Sequence, residues 1–199
     1  MNSVVFQDNF LPGSLARSFR TAGVTAHYPP DGVHHDGAVY PGMSLTLDSE
    51  FERKIADYIS VAVGKFRPVV FTASFFRCML AGQDTAHGHD FRVHFDSSFA
   101  THAFVLYLSA PGSEVGGTAF WKHKVLGDNA VSESNIERIS EDLTQRPAWQ
   151  IESLVGMRYN RGVIYPANMI HSAYPQEGWG DTPEKARLIW TALFSCPRN

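Results

Sequence analysis

Two tripeptides in this chain, His34-His35-Asp36 and His94-Phe95-Asp96, place an imidazole and a carboxylate two residues apart. Such a pair can face a divalent cation, and a second imidazole would complete a three-ligand site with coordination positions left open for small molecules. With nine His and 20 Asp or Glu among 199 residues, about one His-x-acid pair arises by chance, so the tripeptide gains meaning only from its setting. The first copy lies in HYPPDGVHHDGAVYPG, a Pro/Gly/Asp-rich stretch where turn geometry gives side chains no regular direction. The second ends the segment DFRVHFD, whose period-two alternation turns His94 and Asp96 to one face and Phe91, Val93 and Phe95 to the other. A ligand-bearing face opposite an apolar one makes the second copy the candidate.

Two histidines could supply the third ligand. His102 begins the next strand and would give a compact site of the hydrolytic zinc type. His171 follows the strand RGVIYPA and would return to His94 only through tertiary structure. The last strand, KARLIWTALFS, decides between them. Arg187, Ile189 and Thr191 share one of its faces, and Leu188, Trp190 and Ala192 the other. An Arg on a strand with apolar neighbours is costly to bury without an anion. A ligand carboxylate is one natural partner, with hydroxyls of Thr191 and Tyr107 to help hold it. The bland alternative is an internal ion pair, with Glu152 or Asp181 as candidates.

These residues resemble those of the Fe(II)/2-oxoglutarate-dependent oxygenases, especially their prolyl-hydroxylase-like branch. The resemblance rests on His94-x-Asp96, the YLS strand, the double glycine of GGTAFW, the distal His171 and RLIWT, in that order along residues 90–195. It implies iron bound by His94, Asp96 and His171, and the far carboxylate of 2-oxoglutarate bound by Tyr107, Arg187 and Thr191. It also implies O2 as cosubstrate, release of succinate and CO2, and hydroxylation, desaturation or cyclisation of a substrate. Asp96 stands where related halogenases lack a carboxylate, so hydroxylation is favoured over halogenation. Arg187 lies 16 residues after His171, further than is usual in the branch; the turn-rich SAYPQEGWGDTPEKA accounts for the interval as a longer loop. The N-terminal DNFL and YPG segments resemble a small, poorly characterised subgroup of the same superfamily.

The elements that must position these groups can be read from periodicity. VVFQDNFL reads as a strand, Ser14 to Ala22 as a helix closed by Gly23, and Ser49 with Glu52 as a capping box. The box opens a helix whose Phe51, Ile55, Ile59 and Val63 form one apolar face, closed by Gly64. From Arg67 onward, β segments alternate with Gly, Pro, Asp and Ser turns, interrupted by a helical pattern over 132–145 that could be a lid or plain packing. Gly116 and Gly117 read as a hairpin turn. Asn160 and Arg161 face the substrate or cap a turn. Periodicity alone gives N-terminal helices around an antiparallel barrel or sandwich; the resemblance makes the expected fold α+β, a double-stranded β-helix (jelly-roll/cupin-like barrel) flanked by N-terminal helices. A single domain over 1–199 is expected, with residues 1–66 as helical support and 67–199 as the jelly-roll core.

Composition bounds the function. A 44% hydrophobic, 13% aromatic chain is globular with a β bias, and its formal net charge of −3 offers no basic footprint for nucleic acid. Cys78 and Cys196 match no zinc spacing or disulfide framework, and no leader or membrane-length apolar run is present, so a cytoplasmic protein is expected. There is no G-x-S-x-G elbow, Walker loop or G-x-G-x-x-G fingerprint. The substrate class expected is a small molecule, an amino acid or a short peptide. Residue types leave open the oligomeric state and the roles of His34, His35, His87, His89 and His102. The rival functions are a non-catalytic ligand-binding jelly roll and a zinc hydrolase using His94, Asp96 and His102.

Overall fold

Apolar residues at helical spacing set the two N-terminal helices against one sheet. A computed structural model describes residues 3–28, 42–45, 49–64, 68–83, 89–96 and 100–196. Helix α1 (Gly13–Thr25) buries Ala16, Phe19 and Gly23, and α2 (Ser49–Ala62) buries Ile55 and Ile59. Gly64 follows α2 with φ +67, the left-handed conformation that ends a helix at little cost to glycine. Gly23, expected to close α1, instead lies inside it. A Cβ there would stand 2.9 Å from Phe76 and 3.2 Å from Leu188, so this glycine is where the helix backbone rests on the sheet. The side chain of Ser49 and the first His-x-Asp copy, His34 to Asp36, lie outside the described residues, as does His87.

Nine strands follow in two antiparallel sheets among the described residues: β1 (Val5–Gln7), β2 (Met43–Leu45), β3 (Val70–Met79), β4 (His102–Tyr107), β5 (Gly117–His123), β6 (Trp149–Gly156), β7 (Gly162–Pro166), β8 (His171–Tyr174) and β9 (Arg187–Ser195). The larger sheet has the order β1-β7-β4-β9-β3-β2 and the smaller the order β6-β5-β8. This is the double-stranded β-helix architecture, with the two sheets not closed into a continuous barrel. The N-terminal region contributes β1 and β2 to the larger sheet as well as the two helices.

Three apolar clusters make the layers visible. Phe104, Leu106, Leu188, Trp190 and Ala192 pack outward from the larger sheet onto Phe19, Ile55 and Ile59. Ala103, Val105, Tyr107, Phe120, Val163 and Tyr165 pack between the sheets. Phe91, Val93, Trp121, Trp149 and Ile170 pack on the outside of the smaller sheet against Ile139 of α3 (Ile136–Asp142). Strand β4 therefore buries both faces, even residues outward and odd residues inward, which is why it reads as an unbroken apolar run. Helix α3 is shorter than the 132–145 pattern. It lies on the outer layer, pinned where buried His123 Nε2 meets Asp142 Oδ2 at 3.0 Å, and is packing rather than a lid over the inner face.

The N-terminal DNFL motif is a clasp. Arg161 donates to both Asp8 oxygens (Nε to Oδ1 2.6 Å, Nη2 to Oδ2 3.0 Å), and Asn160 exchanges two hydrogen bonds with the Leu11 backbone. Asn160 and Arg161 thus tie the start of the chain to β7 and do not face the cavity between the sheets.

Candidate metal centre

The segment 91–96 does not run as a ladder strand. His94 and His171 exchange backbone hydrogen bonds (2.9 and 2.8 Å), one bridge at the free edge of β8. Two residues earlier, where Arg92 would pair with the strand, the Gln176 side-chain amide takes its place, accepting from the Arg92 N–H and donating to the Arg92 carbonyl. Asp96 N–H is held by the Ala167 carbonyl at 2.8 Å. The alternation still holds: Phe91 and Val93 join the outer cluster, and His94 and Asp96 face inward.

That single bridge makes the site. The rings of His94 and His171 stand 4.3 Å apart, and His171 Nε2 lies 3.6 Å from Asp96 Oδ2. One ligand atom from each of His94, Asp96 and His171 falls within 4.8 Å of the others. Ligands each about 2.1 Å from an ion are roughly 3 Å or more apart, so the set is spaced to close on one metal. His171 Nδ1 is 2.9 Å from the Met169 carbonyl, which can only accept; Nδ1 therefore carries the proton and Nε2 presents its lone pair. Burial pushes the Asp96 carboxyl above its usual range, with His171 opposing, and a divalent cation would reverse that cost.

These three residues line an open cavity together with Phe75, Arg77, Arg187, Ile189 and Thr191. Arg187 is 3% exposed. Its Nη1 and Nη2 donate to the carbonyls of Pro175 (2.9 Å) and Gly117 (2.7 Å), and its guanidinium lies 5.7 Å from the Trp179 ring centroid. Among the described residues no carboxylate pairs with it: Asp181 is paired with Lys185, and Glu152 accepts from Asn129. Burial draws its pKa down to about 10, which leaves it charged at neutral pH. Among the described residues this buried cation is bonded to carbonyl oxygens and faces the Trp179 ring at the cavity wall, an arrangement that favours an anionic partner.

The remaining sequence candidates divide. Thr191 lines the cavity, but its hydroxyl donates to the Phe104 carbonyl at 2.8 Å. Tyr107 is buried beside Thr118 of the cavity wall, its hydroxyl 2.7 Å from Thr118 Oγ1 and 3.2 Å from the Val155 carbonyl. His102 points to the opposite face of the larger sheet, stacked on Phe194 with ring centroids 5.3 Å apart, and is absent from the cavity. Gly116 and Gly117 are not a hairpin turn. They pass between β8 and β6, where a Cβ would stand 1.7 Å from the Tyr174 carbonyl oxygen or 2.0 Å from that of Val155. This passage delivers the Gly117 carbonyl to Arg187. Gly117→Ala is expected to lower unfolding free energy by roughly 3 kcal/mol or more, because backbone rather than a movable side chain must yield; urea unfolding measures it. Sequence reasoning missed Gln176, Thr118 and Arg77. Arg77 alone had a signal, the alternation of Phe75, Arg77 and Met79 along β3.

The fold and the three inward ligands define a double-stranded β-helix with a candidate metal centre. By its sequence the chain belongs to DUF6445, a family of unknown function, whose model matches residues 2–153. No curated protein sequence matches it. Among solved structures it is similar to AviO1 from Streptomyces viridochromogenes Tue57, with TM-score 0.59 at 12% identity over 99% of this chain and 92% of that one. It is also similar to the non-heme alpha ketoglutarate dependent epimerase SnoN from nogalamycin biosynthesis (0.55, 15%, 97% and 78%). A third is EctD from S. alaskensis, solved with 2-oxoglutarate and 5-hydroxyectoine (0.55, 10%, 98% and 72%). At these identities the likeness is one of fold. No helix among the described residues is long and apolar enough to cross a membrane.

Proposed function

We propose that this chain is a single-domain, non-haem Fe(II)- and 2-oxoglutarate-dependent oxygenase of the prolyl-hydroxylase-like branch, hydroxylating an unactivated C–H of a small molecule, amino acid or short peptide. The observation that carries the reading is one cavity that joins two imidazoles and a carboxylate to a buried arginine that has no carboxylate partner among the described residues. Two neutral nitrogens and one anionic oxygen suit Fe(II) and leave coordination positions open. The arginine suits the far carboxylate of a dicarboxylic cosubstrate. Similarity in fold to the 2-oxoglutarate-bound EctD structure supports the same reading. When bound, Fe(II), 2-oxoglutarate and O2 supply an oxidative decarboxylation to succinate and CO2 coupled to oxidation of the substrate.

The chain's own residues have separable tasks. Met169 holds the His171 tautomer, and Gln176 and Ala167 hold the backbone on either side of His94. Arg187 anchors the cosubstrate carboxylate from a dry wall. Val105, Ile189 and Phe75 keep the cavity apolar around it. The free thiols of Cys78 and Cys196 accord with a reducing compartment such as the cytoplasm.

The test is aerobic incubation of iron-loaded protein with 2-oxoglutarate, following succinate. Oxygen-dependent succinate formation, slow alone and faster with a metabolite that becomes hydroxylated, is the expected result. Tight binding of metal and 2-oxoglutarate with no turnover across a broad metabolite set would favour a non-catalytic ligand-binding jelly roll. The zinc hydrolase is disfavoured by His102 lying across the sheet from His94 and Asp96.

A further inference from the structure

Besides the carbonyls of Pro175 and Gly117, Arg187 meets an aromatic ring. The Trp179 ring centroid is 5.7 Å from its guanidinium carbon, close enough for the ring to attract the cation. Trp179 is half-buried and reaches solvent, whereas Arg187 is 3% exposed. The indole also packs against the apolar cluster between the sheets. Backbone on both sides fixes its place. Gly178 N–H donates to the Gln83 carbonyl at 2.7 Å, and the Gly180 carbonyl accepts from Ala81 N–H at 2.9 Å, both partners lying just beyond β3. A Cβ on Gly178 would stand 2.4 Å from the Leu80 carbonyl oxygen, and one on Gly180 2.5 Å from that of Lys185, two residues before β9. Residues 178–180 are thus held between the end of β3 and the start of β9, and the ring cannot leave Arg187 without breaking those contacts. The metal centre is further along. The Gly117↔Tyr174 pair, whose Gly117 carbonyl Arg187 reaches, is three residues from Phe120↔His171, roughly 10 Å at the rise of a strand.

We infer that Trp179 is the positioning residue of the cosubstrate anchor: its ring keeps water off the outer side of the Arg187 guanidinium, so that the cation stays dry and turned to the cavity. This rests on the oxygenase reading above and adds the residue that sets selection for a second, distant carboxylate. A carboxylate pairs with a guanidinium more strongly where water is excluded, because the local dielectric is low. An open path would let water solvate the cation in the ligand-free protein and screen the pair in the bound one. Trp179 stands at the anchor end, so its effect falls on the far carboxylate and not on the metal-binding end of the cosubstrate.

The experiment compares two 2-oxo acids on full-length protein loaded anaerobically with Mn(II). One is 2-oxoglutarate; the other, 2-oxopentanoate, has the same metal-binding end but no far carboxylate. Calorimetry measures both at low and at high salt. The wild type should prefer 2-oxoglutarate. Trp179→Ala should lose about tenfold or more of that preference while keeping 2-oxopentanoate affinity within about twofold. Its 2-oxoglutarate binding should also become more sensitive to salt, as a pair opened to water is screened. Trp179→Phe keeps an aromatic face and should retain most of the preference. Trp179→Gln puts a hydrated group in the same place, should lose the preference as Trp179→Ala does, and carries the test if Trp179→Ala fails to fold. An unchanged preference in the Ala or Gln variant, or an equal loss for both oxo acids, would overturn the inference and leave the oxygenase reading standing. A wild type that binds metal but shows no preference for 2-oxoglutarate would remove the anchor itself, and the oxygenase reading would fall together with the inference.

Discussion

His171→Ala is expected to weaken binding of a divalent metal by more than about 100-fold, beyond what loss of an outer-shell partner costs. His171 is the residue through which the two halves of the site meet. Its backbone pairs with His94, its Nδ1 faces Met169, and its ring packs 4.7 Å from Tyr165. Truncation removes one of three ligand atoms and leaves Asp96 buried beside a single imidazole. His102→Ala is the matched control, because it removes an imidazole stacked on Phe194 across the sheet and should leave metal binding unchanged. Equilibrium dialysis with Co(II) or Mn(II), alongside circular dichroism to verify folding, reads both variants. Retention of metal by His171→Ala together with its loss in His102→Ala would discard the ligand set and restore the zinc alternative.

Arg187→Met should leave metal bound yet raise the 2-oxoglutarate requirement steeply. Removing one member of a buried, hydrogen-bonded charge pair costs about 2–5 kcal/mol, or roughly 30- to several thousand-fold in affinity. Two effects oppose each other in the ligand-free protein. The variant no longer buries an uncompensated cation, which is stabilising, but it deprives the Pro175 and Gly117 carbonyls of their donor, at about 1–3 kcal/mol for each one kept from water. Water in the adjoining cavity can take over part of that bonding, so a small net change in melting temperature is expected beside the large change in affinity. Arg187→Lys should also bind poorly, because an ammonium cannot reach two carbonyls and a carboxylate with fork geometry. An unchanged 2-oxoglutarate dissociation constant in Arg187→Met would remove the anchoring role.

Local periodicity carried the fold a long way. The strands and an antiparallel barrel or sandwich beside N-terminal helices follow from alternation in segments such as HAFVLYLS and ARLIWTALFS, where a two-residue period separates helix-facing from cavity-facing side chains; the jelly-roll arrangement came from the family resemblance. The same period turned Arg187 and Thr191 inward and His94 and Asp96 away from Phe91 and Val93. It gave no warning that DFRVHFD would pair at one bridge only, because a side-chain amide 84 positions from Arg92 occupies the place of a strand. Strand β8 lies in a stretch read as loop, since four residues ending at Tyr174 are too few to show a period. Gly23 and the Gly116-Gly117 pair were read as a helix stop and a turn, the usual local uses of glycine. Their use here is close approach between backbones distant in sequence.

By itself the sequence determined which chemical groups were available and which side of each strand they would occupy, because those properties depend on residue type and on a repeat of two or 3.6 residues. Only the tertiary structure decided which groups share a space. It brought His171 to His94 through one edge bridge, put His102 behind the sheet, buried Tyr107 beside Thr118 and set Trp179 against Arg187. Those outcomes depend on strand order and register between segments far apart in the chain, and no local repeat encodes them.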